Sequence, residues 1–149
     1  MKTSIFLLIA VSFALIHAKI YRDCGSKTGI LQSVEISHCN QTTMSWCPLR
    51  KGQSVDLHLK FQSLISTKHV KSVVHGILGN IPIPFVLPKS DGCVDSGLSC
   101  PLTLHKEYVY NATLPILSKY PKVSVTVQWE LVDDDGNDIV CFKIPTRIV

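Results

Sequence analysis

The chain has 149 residues and a formal charge of +4, and it is 46% hydrophobic but only 17% charged. Its 15 Lys and Arg are scattered rather than clustered, which excludes a nucleic-acid face and leaves only weak attraction to anionic membrane surfaces.

Residues 1–18, MKTSIFLLIAVSFALIHA, carry one lysine, an apolar run over 5–16 and a small residue at Ala18. That is the pattern of a secretory signal peptide cut after Ala18, and the run is shorter than the ~20 apolar residues of a membrane span. Residues 19–149 are expected to form one exported domain with room for a real core.

The first strand pattern covers residues 30–36. A stronger one follows, where Val55, Leu57, Leu59 and Phe61 alternate with Asp56, His58, Lys60 and Gln62. Residues 70–78 and 81–87 read as two further strands. The second of these holds Pro82 and Pro84, with Pro88 just beyond. Proline removes ladder donors, which places this segment at the edge or rim of a sheet. Residues 108–114 come next, and then Val123, Val125, Val127, Trp129 and Leu131 alternate with Ser124, Thr126, Gln128 and Glu130. Residues 139–144 close the series. Before them, Asp133, Asp134, Asp135, Gly136 and Asn137 form a turn. No Glu follows at the distance a calcium loop requires, so the turn reads as a hairpin tip with solvated carboxylates. About seven short strands without helical periodicity predict an all-β sandwich.

Cys24, Cys39, Cys47, Cys93, Cys100 and Cys141 all follow the leader. An even count in an exported chain argues for disulfides, with many pairings open. Cys39 with Cys47 and Cys93 with Cys100 could clip short loops, leaving Cys24 to meet Cys141. No Cys-x-x-Cys pair is present, and no metal site is expected. The triplets Asn40-Gln41-Thr42 and Asn111-Ala112-Thr113 are sequons for glycosylation.

Catalysis finds little support. There is no Gly-x-Ser-x-Gly or His-Glu-x-x-His motif, and His38, His58, His69, His75 and His105 stand apart in sequence. The chain is expected not to be an enzyme and to need no cofactor. Phe85, Ile116 and Tyr120 stand out instead, each beside a proline (Pro84, Pro115, Pro121) on an irregular segment where two sheets could be prised apart. A dry void there would forfeit packing, and a hydrophobic guest would restore it. Val125, Val127, Trp129, Leu57 and Leu59 read as core.

Eight short runs recur in order over residues 23–145: DCGS, RKGQS, VVHGILGNIPIPF, SDGC, CP, YP, WEL and a final Cys-x-x-Ile-Pro. Together they resemble the soluble lysosomal cholesterol-carrier branch of the ML lipid-recognition family. The resemblance implies an immunoglobulin-like β-sandwich with a lipid cavity between its sheets. It also implies the pairings Cys24–Cys141, Cys39–Cys47 and Cys93–Cys100. The pocket positions fall on Phe85, Ile116, Tyr120 and Pro121, with Ile83 nearby. An exposed apolar knob for transfer to membranes or an acceptor protein falls on His75, Gly76, Ile77, Leu78 and Gly79, with Asn80 a departure from the glycine that relatives often carry. By the same resemblance the chain is a monomeric carrier of one sterol, secreted or delivered to the lysosomal lumen. Two alternatives stand beside it: a secreted carrier or sensor of other lipids, such as fatty acids, signalling chemicals or bacterial lipids, and a structural sandwich with a filled core.

Overall fold

In β4 (Ser54–Ser63) and β8 (Ser124–Val132) every second residue is buried, and except for Ser63 at the end of β4 those residues are apolar. Val55, Leu57, Leu59 and Phe61 face Val125, Val127, Trp129 and Leu131 across a shared core, because a period of two puts alternate side chains on one face. The computed structural model describes residues 18–149, so the leader lies outside the described residues except for Ala18.

Nine strands build two sheets, with no helix among the described residues. The smaller sheet has the order β2 (Gly29–Ile36), β4, β7 (Glu107–Pro115). The larger runs β1 (Arg22–Asp23), β9 (Asp138–Ile148), β8, β5 (Lys71–Leu78), β6 (Ile81–Pro84), with β3 (Cys47–Leu49) also on β9. All pairings are antiparallel except that of β3 with β9.

β6 does occupy an edge, but it stops at Pro84 rather than continuing to residue 87. Its proline-rich backbone offers few donors, and the Phe85 N–H makes one last bond, 2.9 Å, to the Val74 carbonyl. β9 extends past the expected residue 144, and Pro145 falls between the stretch that pairs β1 and the stretch that pairs β3.

Disulfides join Cys24 to Cys141, Cys39 to Cys47 and Cys93 to Cys100. The sandwich is pinched at one end, where a Cβ on Gly29 of β2 would lie 2.5 Å from the Ile139 carbonyl oxygen of β9. The opposite end is marked by Leu78, Ser124 and Ile148 in the larger sheet and Ser54 and Pro115 in the smaller.

Candidate functional site

Gly76 lies on the inner face of β5, and the ring of Phe85 rests on it. A Cβ at residue 76 would come within 2.6 Å of Phe85 Cε2 and 3.0 Å of Val125 Cγ2. Glycine is required here by close approach rather than by backbone angle. Tyr120, in the loop between β7 and β8, meets Phe85 edge to face with centroids 5.7 Å apart and planes at 84°. The Tyr120 N–H bonds the Leu117 carbonyl at 3.0 Å, so a tight turn presents the ring.

Around this aromatic pair opens a cleft of about 140 Å³ that also draws on Leu78, Ile83, Pro84, Pro121, Val123, Val125 and Ile148. Among the described residues no charged side chain lines it. Inward along β8 from Val125, residues Val127 and Trp129 reach a further void of about 30 Å³, enclosed with Leu57, Phe142 and Ile144. The void lies between the sheets, with Val55, Leu57 and Leu114 of the smaller sheet on its wall, while the cleft is walled by the larger sheet, Phe85 and the loop between β7 and β8.

Phe85, Tyr120, Pro121 and Ile83 come together at the cleft as the sequence suggests. Ile116 does not join them: it is 1% exposed in the core and lines neither hollow. Its N–H bonds Gln53 O and its carbonyl accepts from Gly52 N–H, which fastens its backbone to the turn before β4. Val123, Val125 and Ile148 were missed as lining because alternation marks an inward side chain without saying whether core or cavity lies beyond it.

The segment 75–79 divides. His75 points to the outer face of the larger sheet, its Nδ1 3.7 Å from Glu130 Oε2. Gly76 is buried, Leu78 lines the cleft, Ile77 is half-buried on the outer face, and only Gly79 is exposed. The exposed apolar surface lies further on, at Ile81 (67%), Ile83 (45%) and Val86 (81%), and exposed Lys119 and Lys122 bracket Tyr120 in sequence.

Asn40 is exposed, its Oδ1 accepting from the Thr42 N–H and hydroxyl. Asn111 is half-buried on β7, its Oδ1 paired with His58 Nδ1. Among the described residues, Glu130, Asp138 and Cys141 form one group with metal-ligand spacing, but the Cys141 sulfur is bonded to Cys24. The aspartate turn is the hairpin tip the sequence suggests, joining β8 to β9 with Asp134 and Asp135 exposed, but Asp133 is not solvated. Asp133 is buried and accepts from the Asp135 and Asn137 N–H groups and the Thr28 hydroxyl. Asp134 accepts from Thr67 and the Lys68 N–H and pairs with His69 at 2.8 Å; chiefly through His69, its carboxyl is held down at about 2.

A larger groove of about 420 Å³ crosses the free edge of β7, with Asp56, His58, Asn111 and the Lys89–Asp95 ion pair on its walls. Its mixed charges suit water, whereas apolar side chains converge on the cleft.

A disulfide-bonded sandwich, pinched at one end and opening at the other on an uncharged cleft, defines a β-sandwich built to hold hydrophobic ligands. The chain belongs to the ML-domain family, whose profile matches residues 18–148. It is 48% identical over 128 residues, 86% of each chain, to "NPC intracellular cholesterol transporter 2 homolog a" of Drosophila melanogaster. It is 39% identical over 145 residues, 97% of this chain and 95% of the relative, to "NPC intracellular cholesterol transporter 2" of Danio rerio. The crystal structure of a Niemann-Pick type C2 protein from Japanese carpenter ant superposes with a TM-score of 0.82 at 30% identity, covering 87% of this chain and 99% of that one.

Proposed function

We propose that this protein is a carrier that holds one sterol-like lipid between its sheets, takes it up and releases it at the Phe85–Tyr120 mouth, and does no covalent chemistry on it. The observation that carries the reading is the uncharged cleft roofed by Phe85 over Gly76 and continued inward to Trp129. Relatives named as cholesterol transporters, at 48% and 39% identity, support a sterol as cargo. Removing on the order of 500 Å² of sterol surface from water would favour binding by roughly 12 kcal/mol before association costs. Those costs bring the expected affinity to the micromolar-to-nanomolar range.

Cleft and void are both smaller than the ~300–1,000 Å³ of an ordinary ligand pocket. Cargo entry therefore requires the sheets to part at the mouth while the Gly29–Ile139 end stays shut. Ile81, Ile83 and Val86 form the rim that meets a membrane or an acceptor protein, with Lys119 and Lys122 suited to an anionic surface. In this reading residues 1–18 direct export, residues 19–149 are the carrier domain, Asn40 and Asn111 are acceptors for glycans, and the monomer works outside the cell or in the lysosomal lumen.

The test is a cholesterol titration of the purified secreted protein beside Phe85→Ala. We expect one-to-one saturable binding that weakens about tenfold or more in the variant, from the loss of a buried aromatic contact. Equal affinity in a folded variant would place the lipid elsewhere.

A further inference from the structure

The groove of about 420 Å³ at the free edge of β7 is larger than the lipid cleft and shares no residue with it. One wall is made by β4 and β7, the other by the segment 87–96. Asn111, the asparagine of the second sequon, stands on the β7 wall. Its backbone N–H points away from β4 and donates to the Ser96 carbonyl at 2.7 Å, which marks this side as the outer edge of the smaller sheet.

The Asn111 side chain is held in one orientation. Its Oδ1 accepts from Nδ1 of His58, the residue opposite it on β4. Oδ1 and Nδ2 diverge from a planar amide, so Nδ2 is turned off β4 toward the far wall, 3.4 Å from the Ser96 carbonyl. Gly97 leaves space for it, since a Cβ there would come within 2.8 Å of Nδ2. Thr113, which completes the sequon, donates its hydroxyl to Asp56 Oδ1 at 2.7 Å. Both sequon side chains are thus tied to β4, and a modifying enzyme reaches them only before β7 pairs with it. The groove itself is amphipathic. Pro88 and Val94 present hydrocarbon, while Asp56 and the Lys89–Asp95 ion pair present donors and acceptors. A pyranose ring has the same two aspects, apolar C–H faces and a rim of hydroxyls.

We propose that this groove is the seat of the Asn111 glycan, whose first N-acetylglucosamine lies along the β7 edge against Pro88 and Val94. This rests on the reading of Asn111 as a glycan acceptor and is independent of the lipid. In the transfer, the bond from Nδ2 to the sugar's C1 forms as the bond from C1 to a lipid-diphosphate donor breaks. Nδ2 loses one proton and keeps the other. The seated sugar also covers the edge of β7 and blocks its pairing with a strand of another molecule.

The experiment treats the secreted protein, folded or reduced and unfolded, with peptide N-glycosidase and follows each sequon by peptide mass. We expect release from Asn111 to be about tenfold slower or more in the folded protein, because the enzyme must wait for the groove to open locally. Release from the exposed Asn40 should change far less. A second readout is hydroxyl-radical labelling of Pro88 and Val94, which should rise several-fold in Thr113→Ala, where the sequon is lost. Val86, exposed but outside the groove, should label equally in both. The release measurement needs no variant and stands even if Thr113→Ala is not secreted. Release from Asn111 as fast in the folded as in the unfolded protein, or unchanged labelling of Pro88 and Val94, would overturn the inference while leaving Asn111 an acceptor. An Asn111 without sugar in the secreted protein would overturn the acceptor reading and the inference with it.

Discussion

A single hydrogen atom at residue 76 decides whether Phe85 can roof the cleft. A methyl group there would overlap Phe85 Cε2, 2.6 Å away, and press on Val125. The ring would have to swing into the mouth or the strand move outward, and overpacking of this kind costs ~1–3 kcal/mol. Gly76→Ala is therefore expected to weaken cholesterol binding several-fold in a protein that still melts cooperatively, as read by a binding titration and a thermal melt. Unchanged affinity would mean that the Phe85–Gly76 contact is not the entrance. Phe85 and Tyr120 were legible in the sequence because prolines beside them signal irregular backbone. Ile116 sits beside Pro115 in the same way, yet the backbone bonds to Gly52 and Gln53 draw its segment inward. Only the partner across the turn distinguishes the two cases, and local sequence does not name that partner.

At the scale of elements, the β8–β9 hairpin gathers more negative charge than its turn sequence suggests. Asp138, the first residue of β9, is pushed up to about 6, chiefly by burial and then by Glu130, Asp133 and Asp23. A folded carboxyl that holds its proton more tightly than the unfolded one adds stability as pH falls from above about 6 toward about 4, and loses it as pH rises again. Asp134 works in the opposite sense, but its contribution is lost only as pH falls from about 4 toward about 2, outside that window. The protein should therefore melt higher at pH 5 than at pH 7, and Asp138→Asn should raise the melting temperature at pH 7 and flatten the difference. A native protein that melts lower at pH 5, with the variant unaltered, would contradict this. The long strands were legible because apolar residues alternating with polar ones over eight or more positions fit a half-buried strand and do not fit a helix, and β4 and β8 show it most clearly. β1 and β3, of two and three residues, are too short for any period and exist because β9 offers them an edge. The termination of β6 at Pro84 and the buried role of Asp133 depend on which donors the rest of the fold supplies.

The whole molecule is asymmetric in a way that suits a container. The Cys24–Cys141 bond ties the segment after β1 to β9 across 117 residues of chain, on the side where Gly29 touches Ile139. At the mouth end, by contrast, a Cβ on Gly76 would meet side chains, those of Phe85 and Val125, rather than backbone. That contrast explains how one end opens for cargo while the domain stays folded, and it makes the position of the lipid the central claim. The most direct measurement is photolabelling with a sterol that carries a diazirine on its rings, followed by peptide mapping with and without excess cholesterol. Labels that cholesterol displaces should fall on the mouth, at Phe85, Tyr120, Val125 or their immediate neighbours. Labels on Asp56, His58 or Asn111 in the β7 groove, or labelling that cholesterol leaves untouched, would contradict the account.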